Sequence, residues 1–387
     1  MKTILLAAAV LVVVACDQGR VAVNPTSGAT STPTSAQGLM FAVLSPKDTA
    51  NASTRKTVAI VGIDGNVRGE TTFAPMHVPN LGCIGAILPA AAHVAAGKVF
   101  FADASGVVRS LSATGTVTEV ATFPIYSSQQ MLSFAVSPDG GELLATIFTA
   151  PLAAYTCDGS PSAGTFTLDA YSAASGGSSR LIYHQSWTQP TPVMSLTGWD
   201  ALGPIATYPT VWASQGGGPG STLGVYVRVD AATMKPGSQI SDPSTCQVWD
   251  SVQDGAFVCM KHAVITGAGT PAQRVVQPVS VRSAGGAELW QSTITSQNAP
   301  FGLVLAPDGQ HLMICCNDLN LADSHEMLVA RSGTQLNVVK GFVSRGWLDA
   351  TTIIGEVNST LAYVAINSPS NAVSIGAKGE FIGAVQS

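Results

Sequence analysis

The segment FAVSPDGGELLATI, residues Phe134–Ile147, aligns position for position with LVLAPDGQHLMICC, residues Leu303–Cys316. In both segments a Pro-Asp-Gly tripeptide separates two runs of apolar residues. A type I turn accepts Pro at its second position, a small polar residue at the third and Gly at the fourth. Each segment therefore predicts a strand, a tight turn and a second strand that pairs with the first.

Weaker copies of this hairpin occur elsewhere in the chain. Gln253-Asp254-Gly255 precedes the apolar run AFVCM, and Ala96-Gly97 precedes KVFFAD. A second repeated segment reads TGWDALGPIATYP from Thr197 and RGWLDATTIIGEV from Arg345, each with a Gly-Trp pair, a turn and an apolar strand. Repetition of one small unit along a chain indicates a repeat architecture.

From Leu39 onward the chain consists of short runs rich in Val, Ile, Phe and Tyr, closed by Gly, Pro, Asp or Asn, with almost no helical spacing. This pattern predicts an all-β sandwich, barrel or propeller, and the repeats favour a propeller. We expect seven blades of about four antiparallel strands and about 50 residues each, with six or eight blades as alternatives. The first unit is one strand short, and Gly379–Val385 could supply that strand and close the ring. The units lie near 39–78, 81–125, 130–190, 193–243, 245–296, 298–342 and 343–387.

The Ala/Ser-Pro-Asp-Gly hairpins resemble the repeats of TolB-like and Trp-Asp-repeat β-propellers, which implies a propeller over residues 39–387. The segment SAGGAELWQSTI, which contains Gly285, Gly286 and Trp290, is similar to one repeat of the pyrroloquinoline-quinone-type propellers, which also include envelope scaffold lipoproteins. The usual Thr-Gly-Lys of that motif is Gly285-Gly286-Ala287 here, so this resemblance does not imply cofactor binding, and we predict no cofactor. Both resemblances concern the fold, because propellers host binding scaffolds and enzymes alike.

The N-terminus has the layout of a secretory signal peptide. Lys2 precedes the apolar run Ile4–Val14, and such a run of about eleven residues is shorter than the roughly 20 that a spanning helix needs. Val13-Val14-Ala15-Cys16 resembles the lipobox of bacterial lipoproteins. The resemblance implies that residues 1–15 are removed and that Cys16 carries the lipid, which would include palmitate or a similar acyl chain. The alternative is an ordinary signal peptide that happens to end near a cysteine.

Residues 16–38 are rich in Ser, Thr, Pro and Gly and contain almost no bulky apolar side chains. Such a segment cannot bury enough surface to fold, so we expect a flexible tether between the lipid and the propeller. The sequence therefore predicts a cell-envelope protein that is lipid-anchored on the extracytoplasmic face of a bacterial membrane.

The charge pattern argues against a nucleic-acid partner. The formal net charge is −5, and the 18 Lys and Arg residues form no basic run, whereas binding to a phosphate backbone needs clustered cations. Only 11% of the residues are charged, which limits the groups available for acid–base chemistry. The sequence contains no Gly-x-Ser-x-Gly, His-Glu-x-x-His or Gly-Lys-Ser/Thr motif, so we assign no catalytic residue.

Six cysteines remain when Cys16 is assigned to lipid, and an oxidising compartment favours disulfides over metal or thiol chemistry. Six cysteines allow fifteen pairings, and we favour Cys246 with Cys259 because they flank a turn and could face each other across a hairpin. A zinc site is the alternative, but no Cys-x-x-Cys or His-x-x-x-His spacing supports it. The six are Cys83, Cys157, Cys246, Cys259, Cys315 and Cys316.

The segment YPTVWASQGGGPGST, Tyr208–Thr222, is longer than a hairpin turn and rich in Gly. We predict a binding loop over one face of the propeller with Tyr208 and Trp212 as contacts, although Trp212 could instead pack between blades. We place Trp199 and Trp347 in the blade core.

Two further polar features are interpreted as structural rather than functional. His311 follows a tight turn, and we place it on a strand surface. The acidic segment Asp318–Glu326 is read as a hydrated loop, with a calcium site as the alternative, because it lacks the spacing of a known calcium loop. We predict no metal.

These features favour a non-catalytic binding or scaffold module for an envelope or extracellular protein or a glycan. The alternative is a secreted propeller enzyme, such as a metal-dependent lactonase-like hydrolase, whose metal ligands come one per blade, or a glycan lyase. A structural surface-layer component is a third hypothesis.

Overall fold

In the computed structural model, the described residues form 29 strands joined by turns and contain no helix. The strands assemble into seven antiparallel sheets. The all-β prediction and the count of seven blades are confirmed: the protein is a seven-bladed β-propeller. No described helix is long and apolar enough to cross a membrane. The described residues are 38–45, 55–77, 79, 89–151, 164–188, 194–208, 225–240, 246–251, 255–270, 272–296, 302–315 and 326–386.

In each blade the strands run in order from the channel outward, and we call them inner, second, third and outer. Blade 1 takes its inner strand from the C-terminal end of the chain. Blade 1 consists of β29 (Glu380–Val385), β1 (Met40–Ser45), β2 (Lys56–Gly62) and β3 (Val67–Phe73), and blade 2 consists of β4 (Ala92–Ala95), β5 (Lys98–Ala102), β6 (Val107–Ser112) and β7 (Val117–Thr122). Blade 3 consists of β8 (Gln130–Val136), β9 (Glu142–Thr149), β10 (Phe166–Ala174) and β11 (Arg180–Trp187), and blade 4 consists of β12 (Ser195–Asp200), β13 (Gly203–Tyr208), β14 (Val225–Val229) and β15 (Pro236–Gln239).

Blades 6 and 7 repeat the four-stranded pattern, and blade 5 differs in that its second strand is split into β17 and β18. Blade 5 consists of β16 (Gln247–Ser251), β17 (Phe257–Met260), β18 (Val264–Thr266), β19 (Arg274–Arg282) and β20 (Glu288–Ser296). Blade 6 consists of β21 (Gly302–Leu305), β22 (His311–Cys315), β23 (Met327–Ala330) and β24 (Gln335–Asn337). Blade 7 consists of β25 (Phe342–Trp347), β26 (Thr352–Val357), β27 (Thr360–Ala365) and β28 (Ala372–Ser374).

The hydrophobic core lies between neighbouring blades. In β1, Phe41 and Val43 pack with residues of blade 7, whereas Ala42 and Leu44 pack with residues of blade 2. Successive side chains of a strand point to opposite faces of the sheet, so both faces of this strand are buried in different interfaces. This explains why such strands read as continuous apolar runs rather than as alternating ones.

The Pro-Asp-Gly hairpins connect inner to second strands, as expected. Gly140 N donates to Ser137 O at 2.8 Å, and Gly309 N donates to Ala306 O at the same distance. The weaker copies at 96–97 and 253–255 fall at the equivalent connections of blades 2 and 5. The turn in blade 6 also holds its neighbour, because Trp290 Nε1 of blade 5 donates to Gly309 O at 2.6 Å.

The split in blade 5 has a local cause in Pro278. Lys261 N donates to Pro278 O at 3.1 Å, but Pro278 has no N–H to return the bond. The side-chain amide of Gln277, which is buried, donates to Lys261 O instead. Beyond this point β18 resumes pairing along the same edge of β19, with the register shifted by one residue.

The ring closes through β29, as the sequence predicted for Gly379–Val385. β29 pairs with β1 from Met40↔Val385 to Leu44↔Glu380. Phe381 of β29 lies over Gly346 of the inner strand of blade 7, where a Cβ would overlap the phenyl ring. Gly346 thus lets the last blade approach the closing strand.

We predict that Gly346→Ala destabilises the propeller by about 1–3 kcal/mol, because the added methyl group overpacks the closure against Phe381. Chemical denaturation measures this change. Gly198→Ala is the matched control, because Gly198 occupies the same place in the other Gly-Trp repeat and a Cβ there meets nothing within 4 Å. Equal effects of the two substitutions would show that the closure contact is not the cause.

Candidate functional site

The two ends of the ring differ in their connections. One end, which we call the turn face, carries the connections from inner to second strands, such as Ala96–Gly97. The chain also enters β1 at this end, because Met40 pairs with Val385 at the end of the inner strand. The opposite end, which we call the loop face, carries the second-to-third-strand connections. Four of these contain ten or more residues, namely 46–55, 150–165, 209–224 and 316–326.

A cavity of about 1020 Å³ occupies the channel at the turn face. Its wall is built from the ends of the inner strands of six blades and from the turns that follow them, including Pro138 and Pro307. The sequence segments that suggested the repeats therefore meet around this cavity. Both Gly-Trp repeats contribute their tryptophans, Trp199 and Trp347, to its wall.

Two of the three charged side chains in the wall, Asp200 and Arg345, are paired with groups outside it, and the third, Lys98, is exposed. Arg345 Nε donates to Glu356 Oε1 at 3.0 Å, and the Arg345 side chain is 39% exposed. Asp200 is buried and accepts from Arg228 Nη2, whose guanidinium also donates to Ala284 O of blade 5. The wall also carries the aromatic rings of Trp199, Trp347 and Phe381, so it combines polar and apolar surface.

The prediction that Trp199 and Trp347 lie in the blade core fits Trp347 better than Trp199. Trp347 is 5% exposed, and its Nε1 donates to Val304 O of blade 6 at 3.1 Å, as a core residue would. Trp199 is half-buried, so it belongs to the channel wall as much as to the blade core. The surface position expected for His311 is wrong, because its half-buried ring lies 6.2 Å from the Trp347 ring between blades 6 and 7.

Sequence reasoning missed Arg345 as a channel residue. Its strand carries a register shift between Ser344 and Gly346, which singles out Arg345 as the unpaired residue. The inner strand of blade 5 carries the equivalent irregularity at Trp249, between Val248 and Asp250. In blade 4 the same irregularity falls at Thr197, directly before the Gly198-Trp199 pair, so the repeated Gly-Trp pair was the available signal for Arg345.

His93 lies in the wall of the cavity but cannot supply a positive charge there. Burial lowers the pKa of His93 to about 4, although a hydrogen bond with the Phe134 backbone opposes the shift. Its ring meets the Phe134 ring edge-on at 4.8 Å. His93 is therefore a neutral packing residue at physiological pH.

Glu326 is a buried carboxyl group between blades 6 and 7. Its Oε2 accepts from Ser344 N at 2.9 Å, and its Oε1 has no hydrogen-bond partner in the part of the chain that the structure describes. Burial raises the pKa of Glu326 to about 7, against the opposing effects of Ser344 and Arg345. Residues 318–325, the rest of the acidic segment for which a calcium site was the alternative prediction, lie outside the described residues.

The structure describes the predicted site residues unevenly. Tyr208 ends β13 at the loop face and pairs with Val225, but nothing describes its side chain. Trp212 and Cys16 lie outside the described residues. Cys246 and Cys259 are buried at disulfide distance, with Cα atoms 5.1 Å apart.

No metal centre is visible in the described ranges, where no three His, Cys, Asp or Glu side chains gather as ligands. Of the other cysteines assigned to disulfides, Cys83, Cys157 and Cys316 lie outside these ranges, and Cys315 is described only as the last residue of β22.

No family model matches the chain, and no curated protein does. Among similar solved structures, an oligogalacturonate lyase in complex with manganese is 12% identical with a TM-score of 0.49, over 80% of this chain and 82% of the lyase. A putative TolB from Agrobacterium tumefaciens is 13% identical with a TM-score of 0.35, over 77% and 88% of the two chains. The β-propeller domain of the Trilobed protease from Pyrococcus furiosus is 10% identical with a TM-score of 0.39, over 87% and 86%. These likenesses carry no functional assignment.

We predict that Glu326→Gln changes how stability depends on pH. Because the folded-state pKa of Glu326 is raised from 4.5 to about 7, its contribution to stability is fully present below pH 4.5 and is lost as pH rises through about 7. From pH 5 to pH 8 the wild type should therefore lose roughly 2.5 kcal/mol relative to Glu326→Gln. Urea denaturation at both pH values measures the difference.

The control for this measurement is Glu70→Gln, because Glu70 is an exposed carboxyl group on β3. Its replacement should leave the pH dependence of the wild type unchanged. Parallel pH profiles for the wild type and Glu326→Gln would contradict the prediction.

Proposed function

We propose that the protein is a lipid-anchored, extracytoplasmic propeller of the bacterial envelope that binds an envelope or extracellular protein or a glycan on its loop face, without catalysing a reaction. The anchor is Cys16, residues 1–15 are the signal peptide, and residues 16–38 are the tether. The part of the proposal that concerns the anchor rests on the sequence pattern at the N-terminus.

The observation that carries the proposal is the opposition of the two faces. The tether joins the propeller at Gly38, on the turn face, where Leu39 O accepts from Ile63 N at 2.9 Å. The long second-to-third-strand connections leave from the other face. Segments that connect strands beyond the rigid scaffold are the usual place for recognition. A propeller held by its turn face would thus present these connections away from the membrane.

The length of the tether fits this orientation. A flexible Ser- and Gly-rich segment of residues 16–38 has an r.m.s. span of about 25–30 Å. This span separates the turn face from the membrane while keeping the ring near it. The segment that contains Trp212 begins directly after Tyr208, at the loop face.

We predict that Cys16→Ser releases the protein from the membrane. The wild type should incorporate an alkyne-tagged fatty acid in bacterial cells and sediment with membranes, since several acyl chains give stable anchoring. The variant should lose both properties. Asp17→Asn keeps the thiol and should behave as the wild type. Label retained by Cys16→Ser would refute acylation at this position.

We predict that Trp212→Ala abolishes a specific cross-linked adduct of the native protein in its own cells, because an aromatic anchor contributes most of the energy of such contacts. Cross-linking followed by affinity capture and mass spectrometry measures the adduct. Leu202→Ala is the matched control, since Leu202 is 57% exposed on the turn face of the same blade.

The adduct should persist in Leu202→Ala. Loss in both variants, or in neither, would argue against binding through the loop face. Recovery of nothing but the protein itself would also count against it, and would favour the enzyme or surface-layer hypotheses.

A further inference from the structure

β18, Val264–Thr266, is an edge strand at the loop face. It continues the second strand of blade 5 beyond the break at Pro278, and it pairs with Val276, Val275 and Arg274 of β19. Within the described residues, β18 pairs on this one edge, so its other row of backbone groups has no strand beside it. Such an edge is a template for an added strand.

Both faces of β18 are exposed. Val264 is 58% exposed and Ile265 is 54% exposed, although neighbouring residues of a strand point to opposite faces. This differs from the blades, in which β1 buries both of its faces. β18 and the residues that flank it, from Lys261 to Arg274, therefore form an exposed ribbon with two apolar side chains in solvent.

The ribbon is cationic in a protein of net charge −5. Lys261 and Arg274 are exposed at its two ends, and no Asp or Glu occurs from residue 255 to residue 287. No described carboxylate forms a salt bridge with Lys261 or Arg274. A second copy of the chain would bring two such cationic ribbons together, which like-charge repulsion opposes.

We propose that β18 binds an extended peptide segment with consecutive apolar side chains at its centre and acidic side chains at its ends, which adds to blade 5 as a further strand. Backbone hydrogen bonds to the free edge would supply the pairing, Val264 and Ile265 the apolar contacts, and Lys261 with Arg274 the preference for acidic residues. This inference rests on the proposed function, since it names the class of partner held at the loop face.

The test uses the full-length protein in detergent micelles and a fluorescein-labelled synthetic peptide with a central run of valines flanked by glutamates. We expect saturable binding by fluorescence anisotropy that weakens as salt is raised. The matched peptide with the same central valines flanked by lysines should bind at least about tenfold more weakly, a difference of about 1.4 kcal/mol. The double variant Lys261→Glu, Arg274→Glu should reverse this preference, and its exposed positions leave the fold intact.

The backbone contribution is tested by Val264→Pro and Ile265→Pro. Successive N–H groups of a strand point to opposite edges, so one substitution removes an N–H from the free edge and the other removes one that faces β19. The substitution that removes the N–H of the free edge should abolish peptide binding while the thermal midpoint stays within a few degrees of the wild type. The substitution that removes the N–H facing β19 should lower the thermal midpoint.

Several results would overturn the inference. They are equal binding of the two peptides, unchanged binding by the charge-reversal variant, no binding up to about 1 mM peptide, or a concentration-dependent dimer that Ile265→Lys disrupts. A cross-linked adduct that is lost in Trp212→Ala but kept in the charge-reversal variant would refute the role of β18 and leave the proposed function standing. Peptide binding without any adduct dependent on Trp212 would refute the loop contact and leave β18 standing.

Discussion

The structure depends on the burial of both faces of every blade. Six of the seven buried clusters contain residues of two neighbouring blades, and the seventh, in blade 5, packs against Tyr226 and Ile240 of blade 4. A single blade has no core of its own, so its strands are stabilised only when both neighbours are present. Closure of the ring by β29 is therefore a condition for the stability of all the blades, since an open ring would expose two apolar sheet faces to water.

Polar contacts add direction to these apolar interfaces. Trp290 bonds to a turn of the next blade, and Trp347 bonds to the inner strand of the previous one. The ion pair between Asp200 and Arg228 reaches the backbone of blade 5. Because a buried donor or acceptor without a partner is costly, these bonds specify how far each blade is rotated against its neighbour.

The same packing limits where function can lie. Inner and middle strands are occupied by the interfaces, so groups free to contact a partner are confined to the channel and to the two faces of the ring. In the channel two of the charged side chains, Asp200 and Arg345, are already paired with Arg228 and Glu356. Blade 5 is the exception, because Pro278 interrupts its second strand and leaves β18 outside the packed ring. The inference about an added strand depends on this local interruption.

Much of the fold could be predicted from the sequence because its signals are local. Turn residues such as Pro138 and Gly140 set the hairpins through backbone geometry, and the repeats revealed both the architecture and the closing strand at 379–385. The proximity of Cys246 and Cys259 was accessible because both flank one hairpin. Trp199, His311 and Arg345 were placed less well. Their environment is set by residues of other blades, which are distant in the chain.

The sequence by itself determined the all-β propeller class and the approximate blade limits, and the signal peptide and Cys16 stay predictions from it, since each depends on short stretches of chain. Only the tertiary structure decided which side chains share the channel, and that, among the residues it describes, one oxygen of buried Glu326 and one edge of β18 have no partner. These properties depend on where seven separately encoded sheets meet. Contacts between residues far apart in sequence leave no local pattern from which burial, pKa or edge exposure can be read.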